Sequence, residues 1–508
     1  MKLNRHNELD NRTYLGAGCP LNRREFLARF GIAGGAILTL NSGFVSFDSQ
    51  VDISRPTLPG EGEVKPRIRV AFSRRLDDYS DWMSSPGAAY DPAASQSMYT
   101  KILENAASTL NVDLDIENSP LRGTDCVDLF IRETKARGAN SVIIIVMQSH
   151  ADGWGQIDHF IEHRNDLPAL VYAPRGTYFR TSQLRQYQGI SNFFLGATHD
   201  VDWLATGMRN LKVLWQMENT HLADIGGNPE GGEKLEPIGI TVNRISLERY
   251  VDAYRATEGS TKARDIANEY FEKVKEIVEP SKDDLIESAR TYLACRQIMD
   301  DTGCHALTLD CLSLVRDPGT PTCPPPCLAF SRLLDERTCG CCERDINAAI
   351  LLMLSSYLFD KPGFMHNPTP FTVRKTYGGT HCSAPTLMSG FTWPGDSLVL
   401  RSHAESDVGV APQVKFGTNQ PATLMQFVPP NRLLVATGTI LANIVTKPGS
   451  GVGGCRTGVE MAMDDVDNVL DIPDNRHNVL IYGRHLHELN VWGQLAGVNV
   501  EHFTKSTL

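Results

Sequence analysis

The sequence lacks any apolar run long enough to cross a bilayer. Its clearest candidate, the eleven residues "FGIAGGAILTL" from Phe30 to Leu40, falls short of the roughly 20 residues that a membrane helix needs. A basic excess is missing too, with 49 Lys and Arg against 60 Asp and Glu and a net charge of -11. No positive footprint is therefore available to hold a phosphate backbone or an anionic lipid surface. Nucleic acid is not an expected partner, nor is a membrane for the mature chain. Internal repeats and long low-complexity tracts are also lacking, so domains must be sought in changes of local pattern. What is present is length: 508 residues, 41% of them hydrophobic, exceed one ordinary core and predict two or three domains.

The first stretch, 1–48, differs from the rest. A polar leader ends in "NRREFLARF", where Arg23 and Arg24 precede Phe26 and Leu27, and the short glycine-containing apolar segment follows. Paired arginines ahead of a weakly hydrophobic run read as a twin-arginine export signal. The expected location is periplasmic or secreted. No A-x-A cleavage site is clear before Asp48.

From 49 to 240 short apolar runs alternate with helical patterns, which predicts a Rossmann-like α/β domain. Its expected strands are "IRVAFS" (68–73), "SVIIIVMQ" (141–148), "ALVYAP" (169–174) and "IGITVN" (238–243). They are continuous rather than alternating, as in a parallel sheet covered on both faces. Ligands sit beyond the carboxyl ends of such strands. The loop "SHADGWGQ" (149–156), with His150, Asp152 and Trp154, is either such a ligand loop or plain polar surface. A second α/β domain is expected over 241–385, with helices from Ser246 and Lys262. Ser281 and Asp284 form a capping box for a helix stopped by Gly303. "ALTLDCLSL" (306–314) reads as a buried strand, and "RDPGTPTCPPPC" as a rigid proline loop. From 386 to 508 short runs separated by turn residues predict a β-rich, barrel-like domain.

Seven of the twelve cysteines lie between Cys304 and Cys342. Cys323, Cys327, Cys339, Cys341 and Cys342 invite a zinc or iron–sulfur reading, but their spacing matches no standard ligand set. In an exported chain disulfides are favoured instead, with at least one expected within 304–342. Asp345, directly before "INAAILLMLSSYLF", is a natural N-cap for a buried helix. Glu343, two residues outside that helix, is free to face a cleft. Histidines occur in "GFMHNP", "GGTHCSAP" and "DNRHNVLIYGRHLH", read as turns at element ends. His366, His485 and His487 are expected to be lone surface residues. "KPGSGVGG" matches G-x-G-x-x-G at Gly449, Gly451 and Gly454 but opens no helix, so it reads as a loop.

Taken in order, "CERDINAAILLMLSSYLFDKPGFMHN", "GGTHCSAP" and "RHNVLIYGRH" resemble the L-fucose and L-arabinose isomerase superfamily, most clearly over 300–508. The resemblance implies Rossmann-like domains before a β domain. It also implies a divalent cation, usually Mn2+, and interconversion of an aldose and a ketose through an enediol. A sugar substrate and a homo-oligomer are the expected partners. By the resemblance the metal-binding acid falls on Glu343 and the metal-binding histidine on His477. The second acid falls on Asn367, which can offer a carbonyl oxygen to a hard cation but accepts no proton at neutral pH. His381 is the candidate to carry protons in its place. His403, Glu405 and Trp154 are candidate substrate contacts. A sugar-binding protein without catalysis, keeping the fold and lacking the second acid, is the alternative.

Overall fold

A computed structural model describes residues 55–74, 91–147, 151–174, 176–178, 181–316, 323–444, 454–473 and 476–503. Arg23, Arg24 and the export segment lie outside them, as does His150. Among the described residues no helix is long and apolar enough to cross a membrane.

Aliphatic and β-branched residues build the first sheet from β1 (Arg67–Ser73), β2 (Asp113–Ile116), β3 (Ser141–Val146), β4 (Ala169–Ala173) and β5 (Phe193–Ala197). All are parallel, in the order β2-β1-β3-β4-β5. Every residue of β3 is buried, as its uninterrupted apolar run requires of a strand covered on both faces. One face packs Ile143 and Ile145 against Leu103, Trp203 and Leu495. The other packs Val142 and Ile144 against Phe130 and Phe160. The Rossmann-like expectation is met.

The second sheet holds β6 (His221–Ile225), β7 (Gly231–Leu235), β8 (Ile240–Ile245), β9 (Ala306–Leu309) and β10 (Cys339–Cys342), in the order β10-β9-β6-β8-β7. Only β7 runs antiparallel. This moves the expected boundary at 240/241 back ahead of His221, because the short, partly polar "HLADI" is already a strand of the second sheet. The Ser281/Asp284 capping box forms with both reciprocal bonds, and Gly303 ends that helix in the left-handed region. The expected strand 306–314 breaks at Asp310. Its carboxylate accepts from the amide and hydroxyl of Ser313, and a short helix, Cys311–Arg316, begins there.

The β-rich part begins at Phe364 rather than 386. Its strands are β11 (Phe364–Phe371), β12 (Thr376–His381), β13 (Ser397–Arg401), β14 (Ala411–Lys415), β15 (Pro421–Val428), β16 (Arg432–Asn443), β17 (Thr457–Met463), β18 (Asn478–Tyr482) and β19 (Asn499–His502). Six of them close an antiparallel barrel, β15-β18-β11-β12-β17-β16, through the β15–β16 pairing. The stretches around His366 and His381 are thus barrel strands, not turns. Their Pro and Gly residues hide this, and each has a physical place. Pro368 and Pro370 lie past the end of β18, where β11 has a neighbour on one side only. A Cβ on Gly379 would stand 2.1 Å from the ring of His366.

The helix Ile346–Phe359, apolar all round and almost wholly buried, joins the second sheet to the barrel by packing on both β10 and β15. Its N-terminus therefore lies where the carboxyl end of the second sheet meets the barrel.

Candidate metal and sugar site

β10 ends at Cys342, and the chain must turn at once to enter the helix Ile346–Phe359. Glu343 and Arg344 make the turn with φ of 60° and 52°, two successive non-glycine residues in the left-handed region, each costing about 1 kcal/mol or more. A bidentate pair offsets the strain. Arg344 Nε and an Nη donate to Asp224 at 2.8 and 2.8 Å, at the end of β6, where the carboxylate is buried. The turn presents Glu343 to a cleft of about 690 Å3 lined also by Asp345, Asn347, Asn367, Phe427, Arg476 and His477.

Two imidazoles meet the Glu343 carboxylate. His477, just before β18, places Nε2 3.4 Å from one oxygen. His381, at the end of β12, places Nε2 3.6 Å from the other. Both nitrogens are buried and neither closes a hydrogen bond. The candidate ligand atoms of the three residues lie within 4.8 Å of one another. The Glu343–His477 gap is wide for a hydrogen bond but suits two donors sharing one cation, each roughly 2.1 Å from it. The imidazoles of His381 and then His477 hold the Glu343 carboxyl well below the usual carboxylate range.

The far side of each ring is tied down differently. His477 Nδ1 donates to Asp345 Oδ2 at 2.9 Å, so that in the neutral ring Nε2 carries the lone pair, toward the cleft. Burial opposes a charge on His477, but Asp345 and Glu343 outweigh it and push its pKa up to about 9. His381 Nδ1 meets Ser383 Oγ at 3.1 Å and accepts from the Ser383 amide at 3.3 Å. An amide can only donate, so this contact favours the proton on Nε2, facing Glu343. Asn367, on β11, is exposed and borders the same space as Glu343.

Several expectations change. Asp345 is the N-cap, accepting from Ala348 at 3.0 Å, but it also orients His477, a second task that spacing alone did not reveal. His366 is wholly buried, bonded to Phe364 O and the Tyr377 hydroxyl, and burial pushes its pKa down to about 3. His485 is half-buried on Phe359 and bonded to Tyr482 O, whereas His487 is exposed, as expected, and meets Phe194 edge to face. Trp154 does not join the site. It sits in the helix Ala151–His163, gives its indole N–H to Thr177 O at 2.7 Å and stacks on Tyr187. The loop read around it is helix from Ala151 on. His403 and Glu405 line a separate small cavity with Glu343 and His381, not the large cleft. Gly454 leads into β17, while Gly449 and Gly451 lie outside the described residues. None of the eleven described cysteines is in a disulfide, so the staple expected within 304–342 is not formed. Strand alternation splits β10 instead. Cys339 faces Ala349 of the buried helix, and Cys342 points to Ser383. A further group, Asp128, His159 and His163, lies on the first domain's surface. There Asp128 is already bonded to His159 at 2.7 Å.

No family model matches the chain, and no curated protein matches it.

Proposed function

We propose that the chain is a metal-dependent enzyme acting on a sugar, by aldose–ketose isomerisation or a closely related proton transfer. One observation carries the reading: the buried, unbonded Nε2 of His477, fixed by Asp345, aims at the same carboxylate as His381 on the wall of a cleft sized for a small polar ligand. Glu343 and His477 would hold the divalent cation, manganese by resemblance, with the amide oxygen of Asn367 beside them. This donor set of carboxylate, imidazole and carbonyl fits such an ion. When bound, the ion would supply Lewis acidity toward a sugar carbonyl or hydroxyl.

The chain's own residues do the rest. Asp345 holds the His477 tautomer, and Ser383 biases His381 to keep its proton on Nε2, next to Glu343. His381 is therefore placed to carry the proton that Asn367 cannot, while the low Glu343 pKa keeps that carboxyl ionised as a ligand for the cation. Arg344 and Arg476 border the cleft and can donate to sugar hydroxyls. Export through Arg23 and Arg24, and homo-oligomeric assembly, belong to the same proposal and are supported by the sequence alone.

A sugar-binding protein without turnover is the second reading, favoured by Asn367 at the second acid's place. A screen of aldoses with the full-length protein and added Mn2+ separates the two. Isomerisation that Glu343→Gln abolishes supports the enzyme, and saturable sugar binding without conversion supports the binding protein. Metal content and sugar binding unchanged in both Glu343→Gln and His477→Ala would place the site elsewhere.

A further inference from the structure

On the first domain two neighbouring helices bring three candidate ligands together. His159 and His163 stand one turn apart at the end of the helix Ala151–His163, and Asp128 comes from the helix Thr124–Ala136. Both helices bury their apolar sides against the same core, Val127 and Phe130 on one, Ile157 and Phe160 on the other. Packing therefore fixes the distance between their outer faces. The two imidazoles stack with ring centroids 4.0 Å apart. His159 Nε2 meets Asp128 Oδ1 at 2.7 Å, and one candidate ligand atom from each of the three residues lies within 4.8 Å of the others. His163 is oriented as well, with Nδ1 2.8 Å from the His159 carbonyl oxygen. A carbonyl oxygen only accepts, so Nδ1 holds the proton and in the neutral ring Nε2 keeps the lone pair.

We propose that Asp128, His159 and His163 form a second metal site, which takes one borderline divalent cation, Zn2+ by its donor set. Two imidazoles and one carboxylate are the protein ligands of an open zinc site, where water fills the fourth position. Access is direct. Asp128 and His163 are exposed and line a cleft of about 580 Å3, so an ion and its water can enter without any part of the core opening. The shell asks for one adjustment. Two donors about 2.1 Å from a tetrahedral ion stand about 3.4 Å apart, so the cation must displace the proton between Asp128 and His159 while the carboxylate draws back. That side chain is 51% exposed and has room to do so. Arg132 and Lys135 line the same cleft and oppose a dication, but both are exposed and screened by water and salt. The site uses none of Glu343, His381 and His477, and it stands or falls apart from the sugar reading.

The test titrates Zn2+ calorimetrically into the full-length protein, reduced, stripped of metal and free of any purification tag. The wild type should show a saturable component that survives in Glu343→Gln. In His163→Ala that component should weaken at least tenfold, and Asp128→Asn, which keeps the shape but loses the charge, should weaken it several-fold. Both positions are exposed, so both variants should fold, as circular dichroism would verify. Cys126→Ser, two residues from Asp128, should leave the component unchanged. The proposal is overturned if no saturable component survives Glu343→Gln, if folded His163→Ala stays within twofold of the wild type, or if Cys126→Ser abolishes binding and so makes the ligand a thiol.

Discussion

His477 and Asp345 are joined by a 2.9 Å hydrogen bond from Nδ1 to Oδ2, while the other oxygen of the same carboxylate accepts from Ala348 at the start of the buried helix. One side chain thus serves both helix and imidazole, and it needs two acceptor atoms to do so. Asp345→Asn keeps only one oxygen. Its amide must give up either the cap, worth about 1 kcal/mol, or its hold on His477, which for partners of metal-bound histidines is worth about 10–100-fold in affinity. The variant should show a lowered melting temperature, a weakened Mn2+ isotherm, or part of each. A variant unchanged in both would mean that His477 is oriented by something else.

The same contact sets a pH dependence. Burial disfavours the charged ring, yet Asp345 and Glu343 raise the His477 pKa to about 9. A raised pKa means that this group's stabilising contribution to the ion-free fold is complete below the ordinary imidazole value near 6.5 and is lost as pH rises through about 9. Metal binding requires the neutral ring, so at pH 7 it must expel a proton. Mn2+ affinity should climb between pH 7 and 9 by up to tenfold per unit and level off above. Calorimetry in buffers of different ionisation enthalpy should show the released proton. A flat affinity with no release would contradict the ion-pair geometry.

Much of this was legible in the sequence, for reasons that also explain what was not. β1, β3 and β4 declared themselves because a parallel strand buried on both faces, such as β3, is an unbroken apolar run. The short edge strands β2 and β5 did not, and the run read at 238–243 belongs to the second sheet as β8. The helix stop at Gly303 and the capping box at Ser281 are local chemistry and were equally readable. β11 and β12 were not. Their prolines, glycines and histidines look like turns until the barrel supplies a short neighbour for Pro368 and a ring packed over Gly379. Trp154 shows the opposite error: a glycine-rich stretch after a strand looked like a ligand loop, but its helix buries the indole locally. The meeting of Asp128 with His159 and His163 is purely tertiary, since no spacing along the chain predicts it.

His381 and His477 should respond differently to removal. His477→Ala deletes a ligand of the proposed cation and should weaken Mn2+ binding at least tenfold. His381→Ala, by contrast, deletes a proton carrier, so turnover should fall by about 100-fold or more while Mn2+ affinity changes only a few-fold. Parallel binding isotherms and single-turnover rates make the comparison. Equal losses of affinity in the two variants would make His381 a metal ligand instead.

The turn at Glu343 depends on Arg344. Arg344→Ala strands the buried Asp224 carboxylate without its bidentate partner and should cost about 3 kcal/mol, read by chemical denaturation. Because the left-handed pair at 343 and 344 then loses its anchor, Mn2+ affinity should drop as well. Asp224→Asn should recover part of the stability lost in Arg344→Ala, since a neutral amide is cheaper to leave buried than a charge. Additive losses would argue against the pair.

Asn367→Asp tests the function most directly. The residue is exposed on β11, opposite Thr380 in the ladder, and borders both cavities that flank Glu343. Its carbonyl oxygen can already serve a hard cation, so a carboxylate at the same place adds charge and a proton acceptor without changing shape. Two negative groups on one dication strengthen its binding, so Mn2+ affinity should rise about tenfold. If the native reaction is an isomerisation running on one base, the added acid should leave turnover intact or raise it. If the site has been adapted to bind a sugar without converting it, Asn367→Asp should bring measurable aldose–ketose conversion to a wild type that shows none. Should the variant lose both Mn2+ and sugar binding while remaining folded, the asparagine amide itself would be the required group, and the isomerase reading would fall with it.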